Sequence, residues 1–328
     1  MNKDADIAPL PRSAGPSPGS GQAADRIFAA VTRMSAGLVL LVIATVLVTL
    51  VIGAWPAIRK FGFGFLVISE WNPVTERLGA VVPIYGTLVT SLIAMLIGVP
   101  VSFGISVFIT ELCPRWLKRP VGTAIELLAA IPSIIYGIWG LFVFAPLFAD
   151  YVQPWVFEHI GDWPLVGSLF QGPPLGIGVF TAGVILAIMI IPFMSAVMRD
   201  IFEVVPKVLK ESAYAMGATT WEVVRHVVLP YTKSGIVGGI MLGLGRAMGE
   251  TMAVTFVIGN AYNINTSLFM PGTTISSTLA NEFTEAVSPI YRGALIELGL
   301  ILFVVMLVVV SLAKLLLFRM GAKERRGT

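Results

Sequence analysis

The chain has 328 residues, of which 56% are hydrophobic and 12% charged, whereas a soluble domain carries roughly a quarter charged residues. So much apolar side chain cannot be hidden in one soluble core, and several uncharged runs reach the length, about 20 residues of helix, that crosses about 30 Å of hydrocarbon. The net charge of +3 does not point to nucleic acid, because the basic residues stand in short clusters between apolar runs, where they orient the chain.

In chain order, residues 1–30 open with Pro9, Pro11, Pro16 and Pro18 among Gly, Ser and Ala, and read as a disordered cytoplasmic tail with nothing to bury. A membrane domain over 31–320 and a short cytoplasmic tail over 321–328 follow. The first apolar run, 36–55, comes after a long polar tail and lacks a small-x-small cleavage site, so it stays as an anchor. The later runs cover 83–110, 121–148, 176–198, 235–258 and 293–318, with Pro100, Pro132 and Pro192 as the expected kinks. The fold class is therefore all-α, a polytopic membrane protein of about six transmembrane helices. Glu126 and Glu297 fall near span ends, where their carboxylates can reach water. Tyr151, Trp155 and Trp163 read as interfacial anchors. Cys113 is the single cysteine, which excludes an internal disulfide, and His159 and His226 have no metal-ligand spacing.

Orientation follows from Lys and Arg. Seventeen lie at the two ends of the chain, up to Arg33 and from Lys314 onward, and in the loops after the second and fourth spans, whereas only Arg59, Lys60, Arg77 and Arg292 lie on the other side. This asymmetry predicts both termini in the cytoplasm. The remaining basic residue, Arg246, falls inside the fifth span.

The loop after the fourth span, about 199–233, contains the stretch Lys-Glu-Ser-Ala-Tyr-Ala-Met-Gly-Ala-Thr-Thr-Trp-Glu-Val-Val-Arg-His-Val-Val-Leu-Pro over 210–230. Glu211 to Met216 suits a short helix, Gly217 permits a sharp turn, and Thr219 or Thr220 can cap a second helix near Trp221. The small residues Ser212, Ala213 and Ala215 would let a partner surface approach closely. A hairpin that merely joins two spans fits the same residues. Glu211, Ser212, Ala213, Gly217, Val227, Leu229 and Pro230 at this spacing resemble the EAA loop of ABC importer permeases, with Ser212 in place of Ala and Val227 in place of Ile. The resemblance implies a coupling helix seated in a cleft of an ATP-binding subunit.

Within the fifth span, Gly-Leu-Gly-Arg-Ala-Met-Gly-Glu-Thr-Met-Ala-Val-Thr over 243–255 places Arg246 and Glu250 four residues apart, which on a continuous helix is one face at about 6 Å. A charge there costs several kcal/mol, so the pair should face protein or water. It fits a structural ion pair, and it equally fits an anion path in which the guanidinium fork meets two oxygens of a tetrahedral oxyanion while Glu250 holds Arg246 between visits.

Pro83-Ile-Tyr-Gly-Thr-Leu-Val-Thr-Ser91, Ile131-Pro-Ser-Ile-Ile-Tyr-Gly-Ile-Trp-Gly-Leu141 and Arg246-Ala-Met-Gly-Glu-Thr251 resemble PstC-type permeases of phosphate ABC importers over about 83–317. The resemblance implies the type I permease fold in a bacterial inner membrane, a PstA-type permease partner, a PstB-type ATPase dimer and a PstS-type periplasmic phosphate-binding protein. It implies no catalytic residue, cofactor or metal on this chain, ATP and Mg being bound by the partner ATPase. No Gly-x-x-x-x-Gly-Lys-Ser/Thr occurs in the sequence. Sulfate and molybdate importers share the docking logic, and a secondary transporter or anion channel would also account for Arg246 but not for the spacing over 211–230.

Overall fold

The computed structural model describes residues 20–164 and 166–324, so residues 1–19 of the expected N-terminal tail and 325–328 of the C-terminal one lie outside the described residues. The chain divides into two compact units, up to Ile52 and from Gly53 onward. In the first, the described residues belong to α1 (Ser20–Phe61), which is helical from Ser20. Residues 20–30 are thus helix rather than the tail expected: beyond Pro18 and Gly19, Gln22-Ala23-Ala24-Asp25-Arg26 contains good helix formers and no breaker.

The second unit continues from the end of α1 into a small hairpin of β1 (Trp71–Asn72) and β2 (Arg77–Leu78), with Trp71 opposite Leu78. The Asn72 carboxamide oxygen accepts the amides of Val74 and Thr75 at 3.0 and 3.2 Å, which closes its turn. Then come α2 (Val81–Val107) with a wide π-helical turn over Phe108–Leu112, and α3 (Arg115–Ala129). The third apolar stretch is built of α4 (Ser133–Trp139), α5 (Ala145–Leu147) and α6 (Gln153–Ile160), joined by π-helical turns. Next follow α7 (Val179–Glu203), α8 (Lys207–Ala215), α9 (Thr220–Val223), α10 (Leu229–Gly249), α11 (Met252–Val257), α12 (Ile275–Glu282) and α13 (Pro289–Glu324). Helix α13 runs through 321–324, so these residues too are helix rather than tail.

Among the described residues, six helical stretches are long and apolar enough to cross a membrane: Ala24–Leu66, Val81–Leu112, Ser133–Ile160, Val179–Glu203, Thr220–Gly249 and Pro289–Leu312. The third is displaced from the expected 121–148. Pro132 disfavours the helical conformation for Ile131, and here the helix stops where a kink was expected. Helix α3 becomes a separate amphipathic helix, and α4 starts afresh at Ser133.

Helix α7 is the axis of the second unit. Two-thirds of its apolar stretch is buried, against 28% or less in the other five. Helix α2 lies along it: Ser102 and Ser106 donate their hydroxyls to the carbonyls of Ile191 and Ser195 at 3.2 and 2.9 Å. Gly98 faces Ile190, and Gly183 faces Ile93, so the two backbones come close enough for these bonds. Around them gather Met189, Met194, Met198, Ala247, Val254 and Val257.

At one end, the segment from α11 to α12 turns back into the bundle. Gly259 and Asn260 take positive φ to make the reversal. Val257 accepts the Gly178 amide, Leu268 that of Phe180, and the Thr87 hydroxyl that of Ile275, at 2.8–2.9 Å. Every such bond answers a backbone group that hydrocarbon would leave unpaired. Beside this segment, Trp71 stacks on Tyr262 with centroids 5.5 Å apart, and Glu282 accepts the hydroxyls of both Tyr262 and Tyr291. Burial first, then the Glu282 carboxylate, pushes the Tyr262 hydroxyl well above the usual phenol range.

The close approach of α2 to the loop before α12 is testable. A Cβ at Gly86 would stand 1.9 Å from the Thr273 carbonyl oxygen, whereas at Gly104 in the same helix it would meet nothing within 4 Å. Gly86→Ala should lower the melting temperature of purified protein by several degrees, through overpacking of about 1–3 kcal/mol. Gly104→Ala should leave it level or raise it.

Candidate functional site

Two groups of residues are the candidates. The first is the hairpin of α8 and α9. Helix α8 stops because Gly217 takes φ +89°: its amide returns to the Tyr214 carbonyl at 2.9 Å and that of Ala218 to Ala213 at 3.1 Å, the paired bonds of a Schellman cap. Thr219 then opens α9 with a capping box, its amide donating to the Glu222 carboxylate at 2.8 Å while its hydroxyl accepts the Glu222 amide at 3.4 Å. After α9 a π-helical turn over Val224–Val228 leads into α10. Pro230, which has no amide hydrogen and whose ring crowds the carbonyl four residues earlier, accounts for this widening.

The structure brings the expected docking residues together on this hairpin and its exit, with different orientations. Glu211, Ser212, Gly217 and Pro230 are exposed and Leu229 is half-buried. Ala213, expected among the small residues offered to a partner, is 7% exposed and packs inward with Phe202, Val205, Val223 and Val228. The amphipathic period of α8 requires one face to serve as its own anchor, and Ala213 is on it. Sequence reasoning passed over Met216, 84% exposed, and Trp221, 61% exposed, which frame the turn. Large apolar side chains grouped on a loop are the kind of surface that a protein or membrane contact covers.

The second group surrounds Arg246. The expectation of one continuous helix through Arg246 and Glu250 is corrected: α10 ends at Gly249, and Glu250 is extended at φ −70°, ψ 129°. The Glu250 carboxylate instead accepts the Ala253 amide at 3.3 Å, at the start of α11. Among the described residues no ion pair joins Arg246 to any carboxylate. Its guanidinium lies 5.1 Å from the centre of the Phe193 ring, a cation–π contact the sequence did not disclose. Phe193 is the fifteenth of the 25 residues of α7, so the charge sits near the middle of the most buried helix. Gly243 lets α10 approach Met194 of α7, while Gly245 has open space beside it. Arg246 follows Leu229 by 17 residues, about 25 Å of helix, so the two groups occupy opposite ends of α10.

Of the remaining charged residues, Glu126 is exposed and accepts from Arg199 at 2.7 Å. Glu297 is 7% exposed rather than reaching water as expected, and it lines an apolar cavity with Ile58, Leu66, Ile84 and Val304. Among the described residues no three His, Cys, Asp or Glu side chains gather to hold a metal ion.

Residues 101–322 match the family described as binding-protein-dependent transport system inner membrane component, a range that includes both groups. The chain is 60% identical to the phosphate transport system permease protein PstC of Pasteurella multocida, over 92% of this chain and 93% of the relative. To the protein of the same name from Mesorhizobium japonicum it is 58% identical over 91% of each. A crystal structure of a bacterial ABC transporter involved in the import of the acidic polysaccharide alginate superposes with a TM-score of 0.55 at 20% identity, over 88% of this chain and 98% of that one, a likeness of fold.

The cap at Gly217 gives a local prediction. An L side chain there meets no neighbour, so Gly217→Ala carries only backbone strain of about 1–2 kcal/mol. Amide hydrogen exchange around Ala218 should quicken by about tenfold, with the global melting temperature unchanged.

Proposed function

The chain belongs to the binding-protein-dependent transport system inner membrane components, on their PstC branch, and from that membership we propose that it is the phosphate-conducting permease subunit of an ATP-driven importer. The observation that carries the reading is the 60% identity, over nearly the whole of both chains, to a relative named as a phosphate transport permease. The chain spans the inner membrane with both termini and the α8–α9 hairpin in the cytoplasm, an orientation supported by seventeen Lys and Arg against four. The hairpin docks a PstB-type ATPase dimer, which binds ATP and Mg. Its exposed Glu211, Ser212, Met216 and Trp221 form the contact, and Gly217, Leu229 and Pro230 shape the hairpin and its exit. A PstA-type permease completes the path, and a PstS-type binding protein delivers phosphate to the opposite end.

Arg246 meets the anion in the path. A guanidinium has five donors in a planar fork, suited to two oxygens of a tetrahedral oxyanion, and in a site poor in water each such bond is stronger than in solution. Among the described residues Arg246 has no carboxylate partner, so its fork can turn to an anion. Glu250 lines the same passage at the helix break rather than holding the guanidinium.

Arg246→Gln should lower phosphate uptake by the reconstituted complex at least tenfold, since one charge-assisted contact is worth about 1.5–3 kcal/mol. The complex should still assemble, and Arg246→Lys should fall between. Adding Glu250→Gln should not restore uptake, and wild-type uptake by that double variant would exclude the anion contact. For orientation, Cys113→Ser with a single cysteine at Val287, 88% exposed, or Met216 allows labelling in intact cells. An impermeant maleimide outside the cytoplasm should reach Val287→Cys and not Met216→Cys.

A further inference from the structure

Lys210 stands one residue before Glu211 on α8 but turns the other way. Its ammonium lies 2.5 Å from the Glu111 carboxylate, in the π-helical turn that closes α2, and the two side chains are 16% and 6% exposed. The hairpin does not depend on this pair to stay in place: Ala213, Val223 and Val228 already pack with Phe202 of α7 and with Phe103 and Val107 of α2. Nor is a buried ion pair an economical source of stability, because desolvation of both charges consumes most of its attraction. Its distinct contribution is geometric. An apolar contact lets α8 roll or slide over its seat, whereas a short charge-assisted hydrogen bond fixes one point of α8 to one point of α2.

Helix α2 carries that point further. The hydroxyls of Ser102 and Ser106, about two turns and one turn from the wide turn of Glu111, hold the carbonyls of Ile191 and Ser195. Those two residues flank Phe193, whose ring lies under the Arg246 guanidinium. A continuous set of directional contacts therefore runs from Lys210 through Glu111, α2 and α7 to the ring beneath Arg246.

We propose that the Lys210–Glu111 pair is the strut through which movement of the docked hairpin reaches α2 and the Arg246 site, so that without it ATP is hydrolysed with little anion imported. Both residues are positioning residues, and the inference rests on the docking of α8 proposed above. The test uses the full complex, with both permease subunits, the ATPase and the binding protein, in proteoliposomes loaded with ATP. The readout is ATP hydrolysed per phosphate imported, at equal amounts of assembled complex. Glu111→Gln should keep hydrolysis stimulated by the binding protein and raise the ratio at least about fivefold, the low end of coupling between two sites. The double variant Glu111→Leu, Lys210→Met leaves no buried charge unpaired and should raise it likewise. An unchanged ratio in either variant, or failure of both to assemble, which would make the pair a requirement of folding, overturns the proposal. If the wild-type complex itself shows no stimulated hydrolysis, the docking reading fails first, and that result is distinguishable from any behaviour of the variants.

Discussion

Hydrocarbon offers no partner to an amide or a carbonyl, so each interruption of a helix at membrane depth must be answered by protein. Helix α7 is where most of those answers are given. Its start receives the segment between α11 and α12 through the amides of Gly178, Val179 and Phe180. Its middle accepts the hydroxyls of Ser102 and Ser106 and presents Phe193 to Arg246. Its end places Phe202 in the core beneath α8. The alternation of small and large residues along it, Ala182, Gly183, Ala187 and Ser195 among Ile185, Met189, Ile190 and Met194, allows so many neighbours to approach one helix. A protein whose central helix is wrapped in this way can afford broken helices around it, and α4, α5, α6, α10 and α11 are all short or interrupted.

What the sequence discloses depends on how local the cause is. The hairpin over 207–228 was legible because Gly217, which makes the turn, and Thr219, which caps the next helix, stand two residues apart and need no third element. The number of spans was legible because it follows from length and hydropathy. The course of the third and fifth spans was not. Pro132 announces a disturbance, but whether the helix bends or stops depends on whether α3 finds a place beside α7, where Arg199 reaches Glu126. Between Gly249 and Glu250 the sequence holds no proline, and the continuous face of Arg246 and Glu250 is a sound expectation from spacing. It fails because the short α11 packs between α4 and α7, with Gly137 against Ala253 and Gly140 against Val257. That is tertiary competition, invisible to periodicity. The Lys210–Glu111 pair joins residues 99 apart in sequence, and the cation–π contact joins two helices, so neither has a local signature.

The partner that Arg246 does have bears on the proposed role more than the one it lacks. A guanidinium paired with a carboxylate at low dielectric would be strongly held, and an incoming anion would have to displace a full negative charge and leave it unpaired. The face of an aromatic ring is a weaker partner, about 0.5–2 kcal/mol, with no proton acceptor of its own. It restrains the position of the charge with no ion pair among the described residues, which suits the proposed contact with an anion. A carboxylate at the same place would raise the affinity threshold and slow exchange. The break at Glu250 therefore contributes in two ways. It removes the carboxylate from the face of Arg246, and it gives that carboxylate the Ala253 amide to accept, so that the interruption and the availability of the cation follow from one local change of backbone.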